Sequence, residues 1–99
     1  MAVEDAHALT FVLVARIPLE GVETFRNYEA QVLPLLDEHG GSLQRRLRND
    51  DGTVEVHIVS FRTEADARSY RNVPRRLANA RLFEASATKL EQFAMWDLD

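Results

Sequence analysis

The chain has no cysteine among its 99 residues. That excludes disulfide frameworks, thiolate zinc sites and cysteine nucleophiles, and it fits a reducing compartment. Lysine occurs once, at Lys89, and every other basic side chain is arginine, which reads as the bias of a GC-rich bacterial genome rather than as selection for phosphate forks. Basic residues are outnumbered 12 to 16 by acids, a net charge of −4, so a general nucleic-acid binder is not expected. No apolar run approaches the ~20 residues that cross a bilayer, and the acidic start lacks the basic and apolar regions of a signal peptide. No membrane partner is expected, and the default location is cytoplasmic. The four glycines form no phosphate loop, dinucleotide fingerprint or nucleophile elbow. The three histidines have no ligand spacing to one another or to a carboxylate cluster. No metal and no cofactor are expected.

What remains is an ordinary globular composition, 45% apolar and 28% charged, of a length that makes one domain. Residues 1–7 read as a loose tail and 8–99 as the domain. The stretch 8–17 is a strand with two largely apolar faces, Leu9, Phe11, Leu13 and Ala15 on one, Thr10, Val12, Val14 and Arg16 on the other. A helix follows from Val22 or Glu23. Phe25, Tyr28, Val32, Leu35, Leu36 and His39 share one side, while Arg26, Asn27, Glu29, Ala30, Asp37 and Glu38 mostly take the other. Pro34 interrupts the backbone ladder, predicting one bent helix. Gly40 is the left-handed cap and Gly41 releases the chain into a strand.

That strand, 42–48, is polar on one side and carries Leu43, Arg45 and Leu47 on the other, as an edge strand would. Asn49-Asp-Asp-Gly52 is a hairpin turn into a third strand over 53–61. There Val54, Val56 and Ile58 oppose Glu55, His57, Val59 and Phe61. Thr63 caps a second helix, with Asp66 three residues on. Val73-Pro74 interrupts it, a further segment turns Leu77, Ala80 and Phe83 inward, and 87–98 is the last strand. The order β-α-β-β-α-β, with right-handed crossovers, predicts an α+β, ferredoxin-like fold: a four-stranded antiparallel sheet with its helices on one face. Either face of the first strand would then leave an apolar surface opposite the helices. Such a patch is unusual on a monomer, which predicts a homodimer through the open sheet faces.

Several residues are candidates for chemistry, each beside a plainer reading. His39, at the helix end, is a general acid or base, or a cap whose ring covers the core edge. Glu55 and His57 alternate on one strand face, a pair suited to proton transfer or an ion pair with Arg16 or Arg45. Tyr28 is a hydrogen-bond donor to a ligand, or a core ring with its hydroxyl at the rim. Arg45 and Trp96 complete the candidate ligand contacts. Arg68, Arg71 and Arg75, with Arg76 and Arg81 nearby, are an anion site or a solvated face.

Tyr28, Pro34 and His39-Gly40-Gly41, then a hairpin, Phe61-Arg-Thr-Glu-Ala65 and a helix with Tyr70 resemble the dimeric α+β barrel superfamily. The resemblance spans residues 8–98 and is nearest its small bacterial proteins of unknown function with a His-Gly-Gly motif; antibiotic-biosynthesis-type monooxygenases share that fold. It implies a ferredoxin-like subunit that dimerises through its sheet and a small-molecule cavity between helices and sheet or inside the barrel. A non-catalytic binder, a cofactor-independent oxygenase or isomerase, and a structural or regulatory module all fit that frame.

Overall fold

The computed structural model describes residues 9–98; the tail expected over 1–7 lies outside them. Strand β1 (Leu9–Arg16) leads through a 3-10 turn at Leu19–Gly21 into helix α1 (Val22–Val32) and a short α2 (Leu35–Glu38). The β2 (Gly41–Arg48) and β3 (Val54–Phe61) hairpin follows, then α3 (Glu64–Arg71), α4 (Pro74–Ala78), α5 (Ala80–Ser86) and β4 (Lys89–Met95). The strands form one antiparallel sheet in the order β2-β3-β1-β4. This is the ferredoxin-like arrangement that the element order predicts.

At Pro34 the ladder breaks into two hydrogen-bonded helices, because proline has no N–H to offer. Leu33 and Pro34 nevertheless keep right-handed helical dihedrals. Leu35 and Leu36 therefore stay in phase with Phe25 and Val32, and all four are buried. Gly40 then reverses the chain at φ +71°. A Cβ there would run into the Asp66 carboxylate, which sits in the first turn of α3. That turn is fixed by the Asp66 N–H donating to Thr63 Oγ1 at 3.0 Å, the cap expected from Thr63.

Three expectations need correction. The β2–β3 register slips between Leu43 and Arg45. This bulge places two residues opposite one and reverses the facing of everything after it. Leu43 pairs with Val59 on the helix side, but Arg45 pairs with Ile58 and Leu47 with Val56 on the open side. Arg46 and Arg48 are turned toward the helices instead. The second correction is at α4 and α5. Pro74 starts one short helix and Asn79 separates it from the next, so the inward phase is reset. Leu77 is 56% exposed and Ala80 is exposed, whereas Phe83 packs inward on Phe25 and Tyr28. The last strand also ends at Met95, short of residue 98.

The core lies between sheet and helices in two clusters. Leu36, Val59, Phe61 and Ala67 form one. Ala15, Ile17 and Phe25, with Tyr28 and Phe83 against them, form the other. Gly40→Ala should lower stability by about 1–2 kcal/mol, the usual cost of a side chain in the left-handed region. The midpoint of urea denaturation reads this out; an unshifted midpoint would show that Gly40 is not needed for the turn.

Candidate functional site

The two clusters border one cavity of about 110 Å³. For scale, an engineered apolar cavity of ~150 Å³ admits benzene. Phe11, Leu13 and Ala15 of β1 and Val59 and Phe61 of β3 form its floor; Phe25, Tyr28, Val32 and Phe83 form much of its roof. In this apolar frame stand Glu29, Glu55 and His57.

Their position follows from two periodicities. On β3, alternate residues face the helices, so Glu55 and His57 share a side with Val59 and Phe61. On α1, Glu29 falls four residues after Phe25 and three before Val32, which is the buried stripe itself. It is 2% exposed, and its expected place on the polar side of the helix is corrected accordingly.

His57 Nε2 lies 2.9 Å from Glu55 Oε1 and 3.0 Å from Glu29 Oε2. The outer carboxylate oxygens belong to arginines. Arg46 Nη2 donates to Glu29 Oε1 at 2.8 Å, and Arg48 donates through Nε to Glu55 Oε2 at 2.9 Å. These are the guanidiniums that the β2 bulge turned inward. Two buried carboxylates thus meet two guanidiniums whose stems reach the surface, and the imidazole stands between the carboxylates.

Burial works against the charged form of Glu55, but the hydrogen bonds it accepts from His57 and Arg48, with the Arg48 charge beside it, outweigh burial and bring its pKa down to about 2. For His57, burial favours the neutral ring; hydrogen bonds to Glu29 and Glu55 and their charges prevail and raise its pKa above the ordinary 6.5. An ionised carboxylate can only accept, so Nε2 must carry a proton. Nδ1 has no protein partner among the described residues, and the ring lines the cavity with 12% of its side chain exposed. The geometry is that of an imidazole oriented through one nitrogen and free to take a proton at the other. The donor atoms of Glu29, Glu55 and His57 also lie within 4.8 Å of one another, a spacing that a cation accepts. The two guanidiniums already balance both carboxylates, so a dication would add an uncompensated double charge to an apolar cavity.

The remaining candidates are dispersed. Tyr28 lines the cavity with its ring, 5.3 Å from that of Phe83. His39 is the C-cap of α2, and its Nδ1 lies 3.0 Å from Ser69 Oγ; it does not line the cavity. Arg45 is on the open sheet face, Arg16 pairs with Glu91, and Trp96 follows β4 at 67% exposure. Sequence reasoning missed Glu29, Arg46 and Arg48. For Glu29 the signal was its spacing to Phe25 and Val32; for the arginines nothing in the sequence marks the bulge.

No family model and no curated protein matches the chain. Solved structures do. Rv0793 of Mycobacterium tuberculosis superposes with a TM-score of 0.73 at 17% identity, over 93% of this chain and 96% of that one. A candidate antibiotic biosynthesis monooxygenase of Nitrosomonas europaea gives 0.75 at 17% identity, covering 92% and 99%. SnoaB of Streptomyces nogalater, a cofactor-independent oxygenase, gives 0.68 at 18%, covering 94% and 95%. The fold is that of the antibiotic-biosynthesis monooxygenase-like α+β proteins. Identities this low speak to the fold and not to the reaction.

The charges set a pH dependence. Glu55, depressed from 4.5 to about 2, contributes stability that is present above pH 4.5 and lost as pH falls toward 2. His57, raised above 6.5, contributes stability that is full below pH 6.5 and lost as pH rises through its folded value. NMR titration of the His57 ring should therefore give a midpoint above 6.5, and Glu29→Gln should lower it. A midpoint indifferent to Glu29→Gln would rule out the carboxylate pair as its cause.

Proposed function

We propose that the chain binds a small, largely apolar organic molecule in the cavity between helices and sheet, and that His57 removes a proton from it. The observation that carries this reading is the single imidazole at the cavity wall, hydrogen-bonded through Nε2 to Glu55 with the Glu29 carboxylate 3.0 Å from the same nitrogen, and with no partner for Nδ1 among the described residues. Glu29 and Glu55 orient the ring and stabilise the imidazolium that forms. The apolar walls position the ring of the ligand against His57. Deprotonation of an activated ring is the opening step of a cofactor-independent oxygenation, the class to which SnoaB's description belongs, and equally of an isomerisation. Tyr28 serves as a wall of the pocket, and His39, Arg45 and Trp96 stand outside this role.

The reading includes a second copy of the chain. Val12, Val14, Val56 and Ile58 fall on the sheet face away from the helices. Around them Leu47, Phe93 and Met95 are 44%, 47% and 47% exposed. A continuous apolar face of this kind is satisfied by an identical face, and sheet-on-sheet packing of two copies buries it.

Both parts are testable. With 4-nitrophenol, whose ionised form is coloured, bound ligand should ionise at a lower pH than free ligand, and His57→Gln should abolish that shift while retaining binding. An unchanged shift in His57→Gln would remove His57 from the role. Sedimentation equilibrium at micromolar concentration should give twice the 11.3 kDa chain mass, and Phe93→Glu should give the chain mass with its circular dichroism intact. A wild-type protein that sediments as a single chain would refute the dimer.

A further inference from the structure

The cavity has a cationic wall that proton removal leaves unused. Residues 62–81 hold six arginines against two carboxylates, within a chain of net charge −4. Arg62, Arg68 and Arg75 are paired, with Asp66, Glu64 and Glu38. Arg71 and Arg76 have no carboxylate partner among the described residues, and both line the cavity. Arg76 is held in place: its guanidinium carbon sits 4.9 Å over the Tyr70 ring, and Nη1 donates to the Arg71 carbonyl at 3.4 Å. Its Nε is buried without a hydrogen-bond partner among the described residues. A guanidinium N–H removed from water with no acceptor is costly, and the fork to which it belongs matches a planar carboxylate. The other arginines near the cavity, Arg46 and Arg48, are spent on Glu29 and Glu55.

We propose that the ligand is a small ring carrying a carboxylate, seated with that carboxylate on Arg76, assisted by Arg71, while its acidic hydroxyl or C–H faces His57. The inference rests on the cavity reading above and adds the substrate class. It also gives the acidic chain a local positive field that draws an anion to the cavity. Arg76 binds and orients; it takes no part in moving the proton.

The test is calorimetric titration of the intact protein with 3-hydroxybenzoate and with its uncharged analogue 3-hydroxybenzyl alcohol. Wild type should prefer the carboxylate by about tenfold or more, as a charge-assisted fork contact implies. Arg76→Gln should erase the preference with affinity for the alcohol unchanged. Arg76→Lys, which keeps the charge without the fork, should restore part of it, and Arg71→Gln should reduce it. Equal affinities in wild type, or a preference that survives Arg76→Gln, would overturn the anion site and leave the role of His57 standing, since ionisation of bound nitrophenol reads that separately. Failure of both rings to bind would overturn the two readings together.

Discussion

Two carboxylates buried in an apolar core are the constraint on which the rest depends. An ionised carboxylate taken out of water needs cations and donors in good geometry, or it destabilises the fold by several kcal/mol. Glu29 arrives on α1 and Glu55 on β3, and neither can be left alone. The fold answers from β2. A register slip between Leu43 and Arg45 sends Arg46 and Arg48 inward, and their long stems let the guanidiniums cap the carboxylates while keeping contact with solvent. The same slip sends Leu47 to the opposite face. One irregularity thus balances the interior charge and enlarges the apolar surface of the open sheet.

His57 takes its properties from that balance. With the outer oxygens of both carboxylates held by arginines, the inner ones converge on one ring nitrogen. The imidazole is fixed in orientation and biased toward its cationic form. The ring stands beside the aromatic and aliphatic side chains that line much of the cavity. The arginines of α3 and α4 then give the cavity a second polar wall.

Most of the fold is legible in the sequence, because periodicity and punctuation agree. Alternation marks β1 and β3, the stripe from Phe25 to Leu36 marks the first helix, and Gly40, Gly52, Thr63 and Pro74 stand where turns and caps are observed. The centre of the candidate site is half legible. Glu55 and His57 declare themselves by alternation on an apolar strand. Glu29 is hidden by its charge, although its spacing places it on the buried stripe. Arg46 and Arg48 are not legible at all: a bulge without a glycine leaves no local mark, so alternation carried through it selects Arg45 and assigns every later β2 residue to the wrong face. Leu77 fails for a related reason, since short helices restart their phase at Pro74 and again after Asn79.

His57 Nε2 lies between the two carboxylates and carries the proton there, which leaves Nδ1 as the bare nitrogen of the neutral ring. Long-range nitrogen–proton NMR correlation on the imidazole, recorded above the ring's titration midpoint, reports the tautomer directly. A protonated Nε2 and a bare Nδ1 are expected. A neutral ring protonated at Nδ1 would contradict this, because Nε2 would then face two carboxylates without a proton to give them and Nδ1 would have none to accept.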